Sequence, residues 1–365
     1  MTRPAWSSWL RSPEPLTARD HDVRVPDVEP DHRWVLRLWG VVVLFVLVAV
    51  WRSRSLGIPF RDPGGEWLRH RVLITGMVFV VLALIDAAWR AKRDGGFKGT
   101  LRMLRDRWPA RRLGLALVGL AAYHTTYFSY HNLKSWDVFN TVRDDLLDKW
   151  DRWLFFGNSP AVLLHDLLGE RFATYFLIVV YESFPTLVSA AFVAAVVLAD
   201  RMRHGFVYLA SAIWVWILGV GCYYLIPSLG PFDYSPQEFS GLPHTIVTAT
   251  QAKYMGQRAH LLAHPEASDA AAQVSAFASL HVGVTCVILL MLRYYGYRRL
   301  TRVLAVYLAL TVVATVHLGW HFFVDDIAGV AIAVAAVWLG DRTIYPRGHQ
   351  PAPAGTLERE DGALV

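Results

Sequence analysis

The feature that most constrains this chain is its series of long apolar runs. Eight stretches, near 34–51, 71–89, 113–130, 172–198, 206–226, 277–292, 303–316 and 321–339, approach the ~20 residues an α-helix needs to cross a bilayer. Backbone in lipid must satisfy its own hydrogen bonds, so such runs are helices. Hydrophobic residues make up 54% of the chain, above the roughly 45–50% of a soluble domain. The fold expected is an all-α integral membrane protein of about eight transmembrane helices. In such a chain a net charge of +6 speaks of orientation rather than nucleic acid. Cys222 and Cys286 both fall in apolar runs and read as free thiols, not as a disulfide framework.

Around the spans the chain is polar. Residues 1–33, rich in proline, read as a disordered tail and not as a signal peptide, and residues 341–365 as a second such tail. Residues 90–112 carry Arg90, Lys92, Arg93, Lys98, Arg102, Arg105, Arg107, Arg111 and Arg112. They read as a cytoplasmic loop, compatible with an amphipathic helix on anionic lipid. Asp86 reads as interfacial. Trp136, Trp150, Trp153, Phe155 and Phe156 give 131–171 the look of interfacial helices. After Pro227 a stretch of about fifty residues reads as a long outer loop, of the kind that forms lids and binding loops. Eight spans put both termini on one side together with the basic loops at 90–112, 200–204 and 293–302, and the positive-inside rule makes that side the cytoplasm.

Two stretches near the end carry the chemistry. Ser279-Leu280-His281 opens one apolar run: serine is a good N-cap, and the free N–H groups of a first turn bind anions. His317-Leu318-Gly319-Trp320-His321 leads into Phe322-Phe323-Val324-Asp325-Asp326. His321 and Asp325, four apart, would share one face of a helix, where the carboxylate fixes the imidazole tautomer. Two histidines and an aspartate at membrane depth are expensive to keep without a use. Each motif also has a bland reading, Ser279 as a plain cap and the His–Asp pair as helix packing. His317 reads as a neighbour of the site or a simple helix-end histidine, Asp326 as structural. Glu182 is either a site carboxylate or a helix–helix hydrogen-bonding group beside Pro185. His260 and His264 have metal-ligand spacing but no third ligand.

The two motifs resemble signatures of the type 2 phosphatidic acid phosphatase (PAP2) superfamily, which includes lipid phosphatases, polyprenyl pyrophosphate phosphatases and headgroup phosphotransferases. Ala276-Phe277-Ala278-Ser279-Leu280-His281-Val282 and Gly319-Trp320-His321-Phe322-Phe323-Val324-Asp325 look like its inositolphosphotransferase-like branch, and Pro227-Ser228-Leu229-Gly230-Pro231 is similar to that branch's Pro-x-x-Gly-Pro loop. The resemblance implies a six-helix catalytic core over 113–340, with 34–112 as two added helices and a basic loop. It implies that His321 attacks phosphorus to form a phosphohistidine, that Asp325 orients it, and that His281 serves as acid and base, with no cofactor and no metal. The pattern is incomplete. No Lys or Arg lies between Arg203 and Lys253, Ala314 and Thr315 stand where the third motif has Ser-Arg, Ala278 replaces a proline and Leu280 a glycine. Cations for the phosphate are therefore sought in Arg258, Lys253 and Lys134, Arg258 being favoured because its loop leads to the His281 helix.

The function expected is a phosphatase or phosphotransferase acting on a lipid or polyprenyl phosphate at the extracytoplasmic face of the plasma membrane. Two rivals are a lipid-binding or lipid-translocating bundle with a degenerate site, and a proton-coupled transporter.

Overall fold

The computed structural model describes residues 32–91 and 96–347, and among these the chain is helical, without strands. Most of the two expected tails, together with Lys92 and Arg93, lies outside the described residues. In chain order the helices are α1 (Arg33–Leu56), α2 (Arg69–Arg90), α3 (Gly96–Arg107), α4 (Ala110–Trp136), α5 (Asp144–Leu154), α6 (Pro160–Leu168), α7 (Phe172–Glu182), α8 (Phe184–Val197), α9 (Met202–Leu225), α10 (Pro231–Tyr234), α11 (Ile246–Ala263), α12 (Leu280–Tyr294), α13 (Arg298–His317) and α14 (Phe323–Ile344). The last helix thus runs past residue 340, where a tail was expected.

Among the described residues six stretches are long and apolar enough to cross a membrane: α1, α2 with the short turn before it, α7 continued by α8, α9, α13 and α14. The other two expected spans differ from them. At 27 residues α4 is long enough, but it buries His124, Thr126, Ser129 and Asn132, which dilute its apolar character. With only 15 residues α12 rises about 22 Å, short of a ~30 Å hydrocarbon layer. The fourth span is broken between α7 and α8, where Pro185 occupies the first turn of the second piece.

At the centre stands α9, with 72% of its most apolar window buried against 22% for α2 at the periphery. Burial of apolar surface does not hold helices together in lipid; close packing of small residues does. Gly340 of α14 faces the Ser211 backbone of α9, and Gly219 of α9 receives Leu280 of α12. Leu36, Leu44, Leu73, Val80 and Val306 remain exposed, as befits a lipid-facing belt.

The basic segment folds into α3, which buries none of its residues. Asp86 is more than interfacial: it is buried and takes Arg90 at 2.8 Å and Arg107 at 2.7 Å, which fastens α3 to α2. The long outer loop is not structureless. It contains the 18-residue helix α11, begun by a capping box of Thr245 and Thr248. Its mixed polar face hid it, and Gln251, which donates to the Leu318 carbonyl at 3.0 Å, ties it to the turn before His321.

Candidate active site

Four segments converge at one end of the bundle: the loop after α9, the start of α12, the α13–α14 turn, and α5. Ser279 is the N-cap of α12, its Oγ accepting the Val282 N–H at 3.4 Å, so His281 lies in the first helical turn. The turn to His321 passes through Gly319, whose φ of +77° is the left-handed conformation that glycine adopts freely. It leaves His321 just outside α14. The helical i,i+4 geometry expected for His321 and Asp325 is therefore not what joins them. Asp325 is the third residue of α14, and its Oδ2 reaches back to the Phe322 N–H at 3.0 Å and to His321 Nδ1 at 3.4 Å. The capping carboxylate and the carboxylate beside the imidazole are the same group.

The two motifs are then locked together. The Ser279 N–H donates to the Asp325 carbonyl at 2.9 Å. Gly329 permits this approach, since a Cβ there would stand 2.5 Å from the Ser279 carbonyl oxygen. The result places the His281 and His321 rings 5.9 Å apart. His281 is sandwiched by Tyr181, at 4.3 Å, and Phe184, at 4.4 Å. Burial pushes the His321 imidazole down to about 4, with the Asp326 carboxylate pulling the other way. A neutral ring at pH 7 keeps a lone pair for attack. Asp326 is not a bystander: its Oδ2 accepts the Thr315 hydroxyl at 2.9 Å, so the residue standing in the expected Ser-Arg position anchors it.

Sequence reasoning passed over α5. Asp144, Leu147 and Asp151 form its buried face. Asp151 accepts the N–H groups of Phe323 and Val324 at 2.7 and 2.9 Å, capping α14 immediately after His321. Asp144 accepts those of Leu229 and Gly230 at 3.0 and 2.9 Å. That pins the proline loop, and Ser228 holds the irregular stretch before α12 through Ala276 and Phe277. Burial pushes both carboxyls up to about 6, their backbone donors opposing it. The i,i+7 spacing of the two aspartates was the signal available; it resembled the charged face of any interfacial helix.

The remaining candidates separate clearly. Lys134, at the end of α4, lies near enough for its charge to act on both His281 and His321. Arg258, the favoured cation, is half-buried on α11 and makes no hydrogen bond or ion pair among the described residues, and Lys253 is exposed. His317 is buried and bonded to Thr174 at 3.0 Å. Glu182 is exposed at the end of α7 and makes no helix–helix hydrogen bond. His260 contacts Asp269 at 3.4 Å, and no group of three metal-ligating side chains occurs among the described residues.

Six candidate membrane spans among the described residues suggest a multi-pass integral membrane protein, and at one end of its bundle two histidines and a carboxylate come together. The sequence pattern of the PAP2 superfamily matches residues 145–339, and the chain belongs to that superfamily, which implies phosphatase or phosphotransferase activity on phosphate substrates. No curated protein and no solved structure matches it significantly.

Proposed function

We propose that the protein is a lipid phosphatase or phosphotransferase of the inositolphosphotransferase-like branch, acting on a lipid or polyprenyl phosphate or phosphodiester at the extracytoplasmic face of the plasma membrane. The observation that carries this is the close approach of His281 and His321 with Asp325 against the second ring. A His321 nitrogen forms a bond to phosphorus as the bond to the leaving oxygen breaks. His281, entering protonated, gives a proton to that oxygen and is left neutral. It then takes a proton from water or an alcohol, whose oxygen displaces His321 from phosphorus. The Ser279 helix start and Lys134 stabilise the equatorial oxygens.

A lipid-borne substrate fits the position of the site. A helix as short as α12, with its basic C-terminal turn at the cytoplasmic surface, starts beneath the opposite surface. Eight spans, α4 and α12 being the two outside the six that are both long and apolar enough by themselves, keep both termini and the basic loops on the cytoplasmic side. The core would then run over 113–340, with α1, α2 and α3 as the addition.

The test uses purified protein in detergent with phosphatidic acid, polyprenyl phosphates and pyrophosphates, and phosphatidylinositol, offering water and polyols as acceptors. Wild type should release or transfer phosphate, and His321→Ala should lose about 10³-fold or more. Equal inertness of both proteins across the panel would remove the reading.

A further inference from the structure

Two cations outside the matched residues make no direct ion pair, although the Asp137 carboxylate acts on one of them, Lys134, from a distance. Lys134 of α4 has its Nζ 5.6 Å from the centre of the Tyr223 ring, and Arg71 of α2 has its guanidinium 5.8 Å from that of Tyr127. Neither makes a hydrogen bond or ion pair among the described residues. Between them is His131, both of whose ring nitrogens are shut off from solvent and unpartnered. Its ring is enclosed by Tyr127 at 4.5 Å, Tyr130 at 5.0 Å and Trp67 at 5.2 Å. Tyr130 continues the wall to Tyr223 through a hydroxyl contact of 3.3 Å. A buried imidazole with no partner and two unpaired cations are costly unless an anion completes them.

Space lies beside Arg71, and Tyr127, which packs on the His131 ring, is part of its wall. A groove of about 70 Å³ between α2, α4, α8 and α9 is bounded by Arg71, Thr75, His124, Phe184 and Trp216. That is room for roughly five waters, or for a phosphate group with the same number of heavy atoms. Phe184 is shared: it walls the groove and packs on the His281 ring. His124 Nδ1 is also buried and unpartnered there.

We infer that Arg71, His131 and Lys134 form a cradle for a phosphate oxyanion carried by a membrane lipid. The inference rests on the proposed function only in naming the lipid's phosphate as the ligand; the cradle itself rests on the unpaired groups. It gives α2 a task, since the arginine that faces the groove comes from a helix that precedes the matched residues. It also accounts for how a chain with no Lys or Arg from 204 to 252 meets a phosphate.

Binding, not turnover, is the test, so His321→Ala protein serves as the background. Detergent-solubilised protein is examined by native mass spectrometry with phosphatidic acid and with diacylglycerol of the same chains. Phosphatidic acid should be retained at least about tenfold better, and Arg71→Gln and Lys134→Gln should each remove most of that preference while leaving diacylglycerol unchanged. Arg71→Lys should restore part of it, and Arg69→Gln, one turn edge away on the exposed side, should keep all of it. Displacement by millimolar inorganic phosphate would assign the cradle to any phosphate group, and resistance to it to a lipid-borne one. No preference in the background protein, or a preference untouched by Arg71→Gln, would overturn the cradle even if His321-dependent turnover stood. A preference that depends on Arg71 in a protein that turns over nothing would retain the cradle and discard the enzyme.

Discussion

The two helices that carry the histidine motifs begin in different ways. The start of α12 is capped from within, by Ser279 three residues before the N–H it accepts. The start of α14 is capped from its own Asp325 and, across the fold, by Asp151 of α5. The first arrangement is a property of a few adjacent residues. The second exists only once α5 has docked, and it fixes the turn that holds His321. One histidine is placed by local sequence, the other by assembly.

The comparison is broken most directly by removing each cap. Asp151→Ala leaves two N–H groups at a buried helix start without acceptors, which should cost about 2–4 kcal/mol. It should also reduce lipid-phosphate turnover by about 10²-fold, because a displaced His321 loses its line to phosphorus. Ser279→Ala should cost only about 1 kcal/mol in unfolding free energy. Thermal unfolding in detergent beside turnover measures both, and equal costs would erase the distinction between the two helix starts.

The joint between the helices gives a somewhat smaller effect. Gly329→Ala would place a methyl 2.5 Å from the Ser279 carbonyl. Backbone must then move, at about 1–3 kcal/mol. Because the Ser279 N–H to Asp325 bond crosses the same joint, the variant should lose activity as well as stability. Loss of stability with full turnover would show that the two starts act independently.

These contrasts explain what could be read from the chain. The two motifs lie near each other in sequence, and their serine cap, histidines and aspartate are local signals, so the residues that the fold brings together at the candidate site were legible. The reason given for joining His321 to Asp325 was not: helical spacing was invoked, whereas a capping carboxylate reaches back over a non-helical turn. Hydropathy revealed the long spans and hid α11, whose narrow apolar stripe of Val247, Tyr254 and Leu261 is supplemented by its capping box and by Gln251 on Leu318. The sequence favours Arg258 over Lys134, whose charge acts on both histidines, because proximity across α4 and α12 is set by packing and leaves no spacing to read. Asp144 and Asp151 were invisible for the same reason, their partners lying 85 and 172 residues away.

The smallest effect separates the caps by pH. Burial raises the Asp151 carboxyl from 3.8 to about 6, so its folded value lies above its unfolded one. Proton binding therefore favours the fold: the contribution is fully present below about 4 and is lost as pH rises through about 6. Asp151→Asn removes the titration and keeps an acceptor oxygen. The stability of wild type relative to this variant should fall between pH 5 and pH 7 by about 1.3 kcal/mol. Ser279 does not titrate, so the difference between wild type and Ser279→Ala should stay level over the same range. Chemical unfolding of both pairs at the two pH values decides it. A level Asp151 difference would mean that water reaches α5 and that the α14 start is held in a wetter setting than its packing indicates.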